Sequence, residues 1–232
     1  MSSGHPTLEY NCFYHLYNRG INRCSLFLHS ADYTHFLRLY DKYITPVADT
    51  YAWALMGNHF HLLVRIKPGE QIGFISGKQA TEGLSGAPGP KENLSEFVRP
   101  ESVYFPKKYK PINQFSHLFN AYTKYFNKKY KRTGSLFEHP FRRIKIESDA
   151  HLKYLVYYIH HNPVHHGSCE EMVEYPWSSY LTVLSPKQTR LKRGEVIQWY
   201  GKPELFRDYH DRQSVERFAG LQIDMPVLLI KP

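Results

Sequence analysis

Asn58-His59-Phe60-His61-Leu62-Leu63-Val64 is the stretch on which the reading of this chain turns. Two histidines flank one apolar residue at the head of an apolar run. In a β-strand, side chains alternate with period two, so His59 and His61 share one face while Phe60, Leu62 and Val64 share the other. Two imidazoles on one strand face can chelate a single metal ion while the opposite face packs on a core. A His-x-His pair alone is weak, because paired surface histidines with no ligand are common. A second segment about 100 residues on, Tyr158-Ile159-His160-His161-Asn162-Pro163-Val164, adds a phenol and an amide oxygen one helical turn apart.

Working outward, Tyr51 to Met56 and Phe60 to Ile66 are two apolar runs broken at Gly57-Asn58, a hairpin signal that places His59 at a strand end open to substrate. Cys12 to Asn18 reads as an earlier strand, stopped at Arg19-Gly20. Between them, Phe36, Leu37, Leu39, Tyr40, Tyr43 and Ile44 recur at helical spacing behind Asp32 as N-cap, with Pro46 closing the helix. Pro68 to Pro106 is rich in Gly, Pro and Ser without hydrophobic periodicity and predicts a long inserted loop, mobile at least in part. Pro111 to Tyr130 regains a helical pattern that ends before Gly134. Phe141 to Ile146 reads as a strand, and Ser148-Asp149 caps a helix from Ala150 to Asn162 that Pro163 ends.

The order is strand, helix, strand, strand, helix, strand, helix. That suits an α+β fold, a ferredoxin-like antiparallel sheet with helices packed on one face. Residues 1–185 form the main domain on this reading, with 68–106 inserted in it. Residues 186–232 form a short helical C-terminal extension, with helices at Thr189 to Tyr200 and Pro203 to His210.

At 232 residues, 42% hydrophobic and 16% aromatic, the chain can bury one good core. Its net charge of +9 is concentrated. Lys107 to Arg143 holds ten basic residues against one acid, Glu138, so the remainder is nearly neutral. A solvated helix face normally mixes both signs, whereas a one-sign stripe fits a polyanion. The stripe interleaves Lys124, Lys128, Lys129, Lys131, Arg132, Arg142 and Arg143 with Tyr109, Phe115, Phe119, Tyr122, Tyr125, Phe126 and Tyr130. Cations for phosphates and rings for bases are what a single-stranded nucleic acid needs, although the helix must keep about half of those rings for its core. Three scattered cysteines, no apolar N-terminal signal core and no long apolar run point to a reducing, cytoplasmic setting with no membrane span.

On the helix ending at Asn162, Tyr154, Tyr158 and Asn162 fall at intervals of four and share a stripe, and Tyr157 and His161 form another. With Asn162 turned toward a metal on His59 and His61, Tyr158 stands beside that metal. A phenol with a pKa of about 10 is a poor nucleophile, and a divalent cation compensates by polarising the phosphate under attack. Two imidazoles and an amide oxygen leave coordination positions open, as a catalytic site requires.

Taken together, five segments resemble the single-tyrosine HUH transposases, most closely the REP-associated tyrosine transposase branch. They are Tyr14-His15-Leu16-Tyr17-Asn18-Arg19-Gly20, Trp53 to Leu63, Gly134-Ser135-Leu136-Phe137, Tyr158 to Val164 and Trp177-Ser178-Ser179-Tyr180, in that order over residues 10 to 182. The resemblance implies a ferredoxin-like fold and Mg²⁺ or Mn²⁺ on His59 and His61. It also implies that Tyr158 attacks single-stranded DNA beside a hairpin, leaving a 5′-phosphotyrosine link and a free 3′-OH. Asn162 stands where other members carry Gln, one methylene longer, and would be the third ligand. Imidazoles by themselves suit zinc or softer metals, so Mg²⁺ or Mn²⁺ comes from the resemblance. Two rivals stay open: a domesticated hairpin DNA- or RNA-binding protein that no longer cuts, and a phosphohydrolase that activates water without a covalent intermediate. Monomer and homodimer both fit the sequence.

Overall fold

The computed structural model describes residues 7–74 and 108–211. Most of the expected 68–106 insertion, Lys107 and the chain from 212 onward lie outside the described residues. Four strands form one antiparallel sheet: β1 (Phe13–Arg19), β2 (Ala48–Leu55), β3 (His59–Ile66) and β4 (Arg142–Ile146), in the order β2-β3-β1-β4. Helix α1 (Ser30–Ile44) connects β1 to β2, and α2 (Pro111–Lys129) lies between β3 and β4. These are the two interleaved β-α-β units of a ferredoxin-like plan, as the element order predicts. Helix α3 (Asp149–His165) follows β4, and the short helices α4 (Tyr180–Leu184), α5 (Arg193–Tyr200) and α6 (Pro203–Asp211) complete the described chain.

The helices cover both faces of the sheet, not one. Seven of the eight β3 residues are buried, so neither face of that strand can be left to solvent. Tyr14, Leu16, Phe60, Leu62, Val64 and Ile66 pack into a core with Phe36 of α1 and Phe115, Leu118, Phe119, Tyr122 and Phe126 of α2. On the other face Ala52, Ala54 and Leu63 meet Leu152, Leu155, Val156 and Ile159 of α3, together with Val196 of α5 and Phe206 of α6. The C-terminal helices therefore share a core with the sheet. No helix among the described residues is long and apolar enough to cross a membrane.

Two local expectations shift. Asp32 is not the N-cap of α1 but sits in its first turn, where its carboxylate reaches back to accept from the backbone N–H groups of Leu28 and His29 (3.0 Å each). Pro163 does not end α3. It lies inside the last turn, where the missing N–H costs one bond, and the C-cap residue His166 donates its N–H to the Asn162 carbonyl at 3.0 Å.

Asp32 also receives Lys129 Nζ (2.6 Å), Tyr125 Oη (3.0 Å) and Tyr130 Oη (2.7 Å), tying the start of α1 to the end of α2. Burial alone would raise its pKa; the donors from Lys129, Tyr130 and the two backbone amides outweigh it and hold the carboxyl below its ordinary range. Its stabilising effect is complete above about pH 4 and fades as the pH falls further. Asp32→Ala should lower unfolding stability by about 3 kcal/mol in a denaturant titration at neutral pH, with Asp32→Asn recovering part of the loss.

A buried chain of hydrogen bonds fastens α6. Ser179 Oγ accepts from Trp53 N–H (2.9 Å) and lies 2.7 Å from His160 Nε2; His160 Nδ1 is 3.1 Å from His210 Nε2, and His210 Nδ1–H donates to the Phe206 carbonyl at 2.8 Å. Burial holds His210 down to about 4, against 6.5 for an ordinary histidine. The unfolded chain therefore takes up its proton first as pH falls. The stabilisation is full above pH 6.5 and declines between 6.5 and 4, by about 3 kcal/mol from this one group. Stability measured across that range should fall less steeply for His210→Phe than for the wild type.

Candidate active site

The chemistry gathers on the α3-facing side of the sheet, at the end where β2 turns into β3. Register builds it: Tyr17 is opposite His61, Arg19 is opposite His59, and Arg142 of β4 is opposite Tyr17. With period-two alternation, His15, Tyr17 and Arg19 of β1 stand on the same face as His59 and His61. Gly20 lets β1 end here. A Cβ at that position would lie 2.0 Å from the Cys24 carbonyl oxygen, and its N–H donates to the Asn58 carbonyl at 2.8 Å.

Both candidate ligand histidines are buried, and each has one ring nitrogen engaged. His59 Nδ1 lies 2.7 Å from Asn58 Oδ1, and His61 Nδ1 lies 2.9 Å from His15 Nε2. Asn58 Oδ1 and Asn162 Oδ1 both accept, so a neutral His59 can donate to only one of them; the shorter contact assigns the hydrogen to Nδ1 and leaves a lone pair on Nε2. That lone pair points at Asn162 Oδ1, 3.3 Å away, while Asn162 Nδ2 is buried and makes no hydrogen bond. The His59 Nε2 lone pair and Asn162 Oδ1, facing each other across 3.3 Å, form an arrangement that a cation would satisfy. The donor set is two imidazoles and an amide oxygen. Among the described residues, no group of three His, Cys, Asp or Glu side chains converges on a metal position.

Tyr158 projects from α3 with its ring edge-on to His61, centroids 5.5 Å apart. Burial raises its pKa, and the neighbouring Asn162 side chain opposes that rise. Asn162 thus stands between the His59 imidazole and the Tyr158 phenol, the neighbourhood that the four-residue spacing predicts. His59, His61 and Tyr158 line a cleft of about 50 Å³ together with Tyr17, Arg19, Glu138, Arg142 and His166, and Asn162 lies buried behind it. That is room for an ion with its water but not for a nucleotide, so a strand must lie across the mouth. A larger cavity of about 190 Å³ between α1 and β2, lined by Phe36, Trp53 and Leu62, holds none of these groups.

Burial is also the main force on the histidines. It holds His59 down to about 4, with His166 and Arg19 adding to the effect against the Asn162 contact. It holds His61 well below the ordinary range, with His15 and His59 adding to it. Both rings are therefore neutral at physiological pH, with lone pairs available. The imidazole resonances of His59 should show no protonation between pH 8 and 5.5 in an NMR titration, with the midpoint near 4.

The basic stripe divides. Arg142 lines the cleft. Lys124, Lys128 and Lys131 are exposed along the second half of α2 and the turn after it, beyond the opposite face of the sheet. Lys129 is committed to Asp32, Arg132 donates to Asn127 Oδ1 (3.1 Å), and Arg143 is half-buried over the Phe141 ring. Phe115, Phe119, Tyr122 and Phe126 belong to the core and cannot serve as stacking platforms. Sequence reasoning gave no role to His15, Tyr17, Arg19, Asn58, Glu138 or His166. Alternation in β1 could have found three of them; His166 sits beside His59 (centroids 5.0 Å) only because α3 runs through Pro163.

Among solved structures, the chain is similar to the structure of a REP-associated tyrosine transposase bound to a REP hairpin. The TM-score is 0.55 at 14% identity, over 80% of this chain and 87% of that one. At that identity the likeness is one of fold. No family model matches the sequence, and no curated protein does.

Proposed function

We propose that this protein is a metal-dependent nuclease and transposase that cleaves single-stranded DNA beside a hairpin through Tyr158. The observation that carries the reading is the buried Asn162 amide, whose Oδ1 faces His59 Nε2 across 3.3 Å, with the Tyr158 ring edge-on to His61 beside it. The fold neighbour was solved bound to a REP hairpin, which supports a hairpin DNA partner here. The cleft is flanked by Arg19 and Arg142, as a phosphate-binding mouth should be.

His59 and His61 would hold Mg²⁺ or Mn²⁺ through their Nε2 atoms, since each Nδ1 is engaged, and Asn162 would hold it through Oδ1. When bound, the ion supplies positive charge that polarises the scissile phosphate and offsets charge developing on it. The Tyr158 oxygen attacks phosphorus and its proton leaves to water in the cleft. The bond from phosphorus to the 3′ oxygen breaks, and that oxygen takes up a proton to leave as the 3′-OH. The 5′-phosphotyrosine link preserves the energy of the broken diester, so the same atoms run in reverse can join a strand.

Wild-type protein incubated with hairpin-bearing single-stranded DNA and Mn²⁺ should give a protein band shifted by covalent DNA on a denaturing gel. Tyr158→Phe and chelator should each reduce that band on the order of 10³-fold or more. Cleavage that survives Tyr158→Phe would mean that water is the nucleophile, and tight binding without any cleavage would mean a binding protein.

A further inference from the structure

Arg19 and Glu138 form an ion pair at the lip of the cleft, with Arg19 Nε 2.6 Å from Glu138 Oε1 and both side chains 31% exposed. Glu138 is the sole carboxylate among the residues lining that cleft, next to Arg19, Arg142, His165 and His166. A carboxylate at a mouth that must accept a polyanion weakens binding, so its presence needs a physical reason. Anchoring the loop is not that reason. Glu138 N–H already donates to the Arg19 carbonyl (2.9 Å), Asn18 Nδ2 donates to the Glu138 carbonyl (3.2 Å), and Asn18 Oδ1 accepts from Arg19 N–H (2.9 Å). The backbone fixes the loop, and the carboxylate is spare.

Its contact is with the Arg19 Nε, so the guanidinium is held over the cleft directly across the ladder from His59. A half-exposed pair of this kind is weak and readily exchanged. A phosphodiester offers the same fork two acceptor oxygens in bidentate geometry. Resting on the DNA-cleaving reading above, we propose that Arg19 is the residue that grips the scissile phosphate. Glu138 is its positioning partner, holding the guanidinium over the cleft until the phosphate displaces it. In the free protein the carboxylate occupies Arg19; in the complex Arg19 turns its fork to the strand. Glu138 then taxes every polyanion equally, and only one that places a phosphate opposite His59 recovers the cost.

The test uses the full chain with Tyr158→Phe, so that binding is read without cleavage, and a fluorescein-labelled single-stranded oligonucleotide carrying one hairpin. Anisotropy is followed against salt. Arg19→Gln should weaken binding about tenfold and lower the salt slope by about 0.7, the value for one phosphate contact on a single strand. Arg19→Lys should restore the slope but not the full affinity, because an ammonium cannot fork. Glu138→Gln should tighten binding about fivefold while leaving the salt slope in place. An unchanged slope in Arg19→Gln with an unchanged melting temperature would overturn the assignment. So would Glu138→Gln weakening Mn²⁺ binding in calorimetry, since that would make Glu138 a metal ligand. On the otherwise wild-type chain, absence of the covalent adduct would sink the nuclease reading alone; the slope decides the phosphate contact independently.

Discussion

The whole arrangement depends on the alternation of side chains along two adjacent central strands. β1 and β3 pair over seven residues, and that pairing assigns every side chain to one of two faces. One face is apolar except for Asn18 at its end and is sealed by α1 and α2. The other carries His15, Tyr17, Arg19, His59 and His61, and its apolar part is sealed by α3. A slip of one residue would carry both histidines into the Phe36 and Phe119 core, where unpaired imidazoles are costly, and would turn Phe60 and Leu62 outward. Fold and site are thus enforced by the same packing energy. The apolar residues need not touch the reaction to hold its geometry.

The second face is less fixed by pattern. Its polar atoms are satisfied one by one, and among the described residues two of the exceptions, Asn162 Nδ2 and His15 Nδ1, lie at the site, while Arg65 Nε, His151 Nε2 and Tyr157 Oη lie outside the cleft lining. Elsewhere, buried polar groups such as Asp32, Ser179 and His210 are fully engaged. Asn162 Nδ2, unsatisfied beside a candidate ligand atom, is more readily understood as a place kept for something else than as a flaw of packing.

Much of this was legible in the residues. The His59–His61 hairpin, the two β-α-β crossings and the four-residue step from Tyr158 to Asn162 all follow from periodicity, because each element is long enough to show its repeat. Three things were not. That helices cover both faces of the sheet could be read only from the near-complete burial of β3, which the apolar run hints at without stating. The path of α3 through Pro163 reflects a cost of only one hydrogen bond in a last turn, too small for a rule about proline to resolve. The split of the basic stripe is a tertiary fact: Lys129 and Arg142 are equally basic in sequence, yet one meets a buried carboxylate from another helix and the other faces the cleft.

The outer edge of β2 is not bare. Leu55 N–H bonds to the Trp177 carbonyl, Ser179 N–H to the Trp53 carbonyl and Lys192 N–H to the Thr50 carbonyl, so a non-strand segment serves as a hem along that border. At the far side of the sheet, β4 packs Arg142, Arg143 and Lys145 into five residues. One border is stitched shut by the chain itself and the other is guarded by like charge, which discourages sheets of neighbouring molecules from joining. A cut made just after α3 would remove more than a helical appendage. It would unpick the hem and turn the sheet into a template for its own self-association.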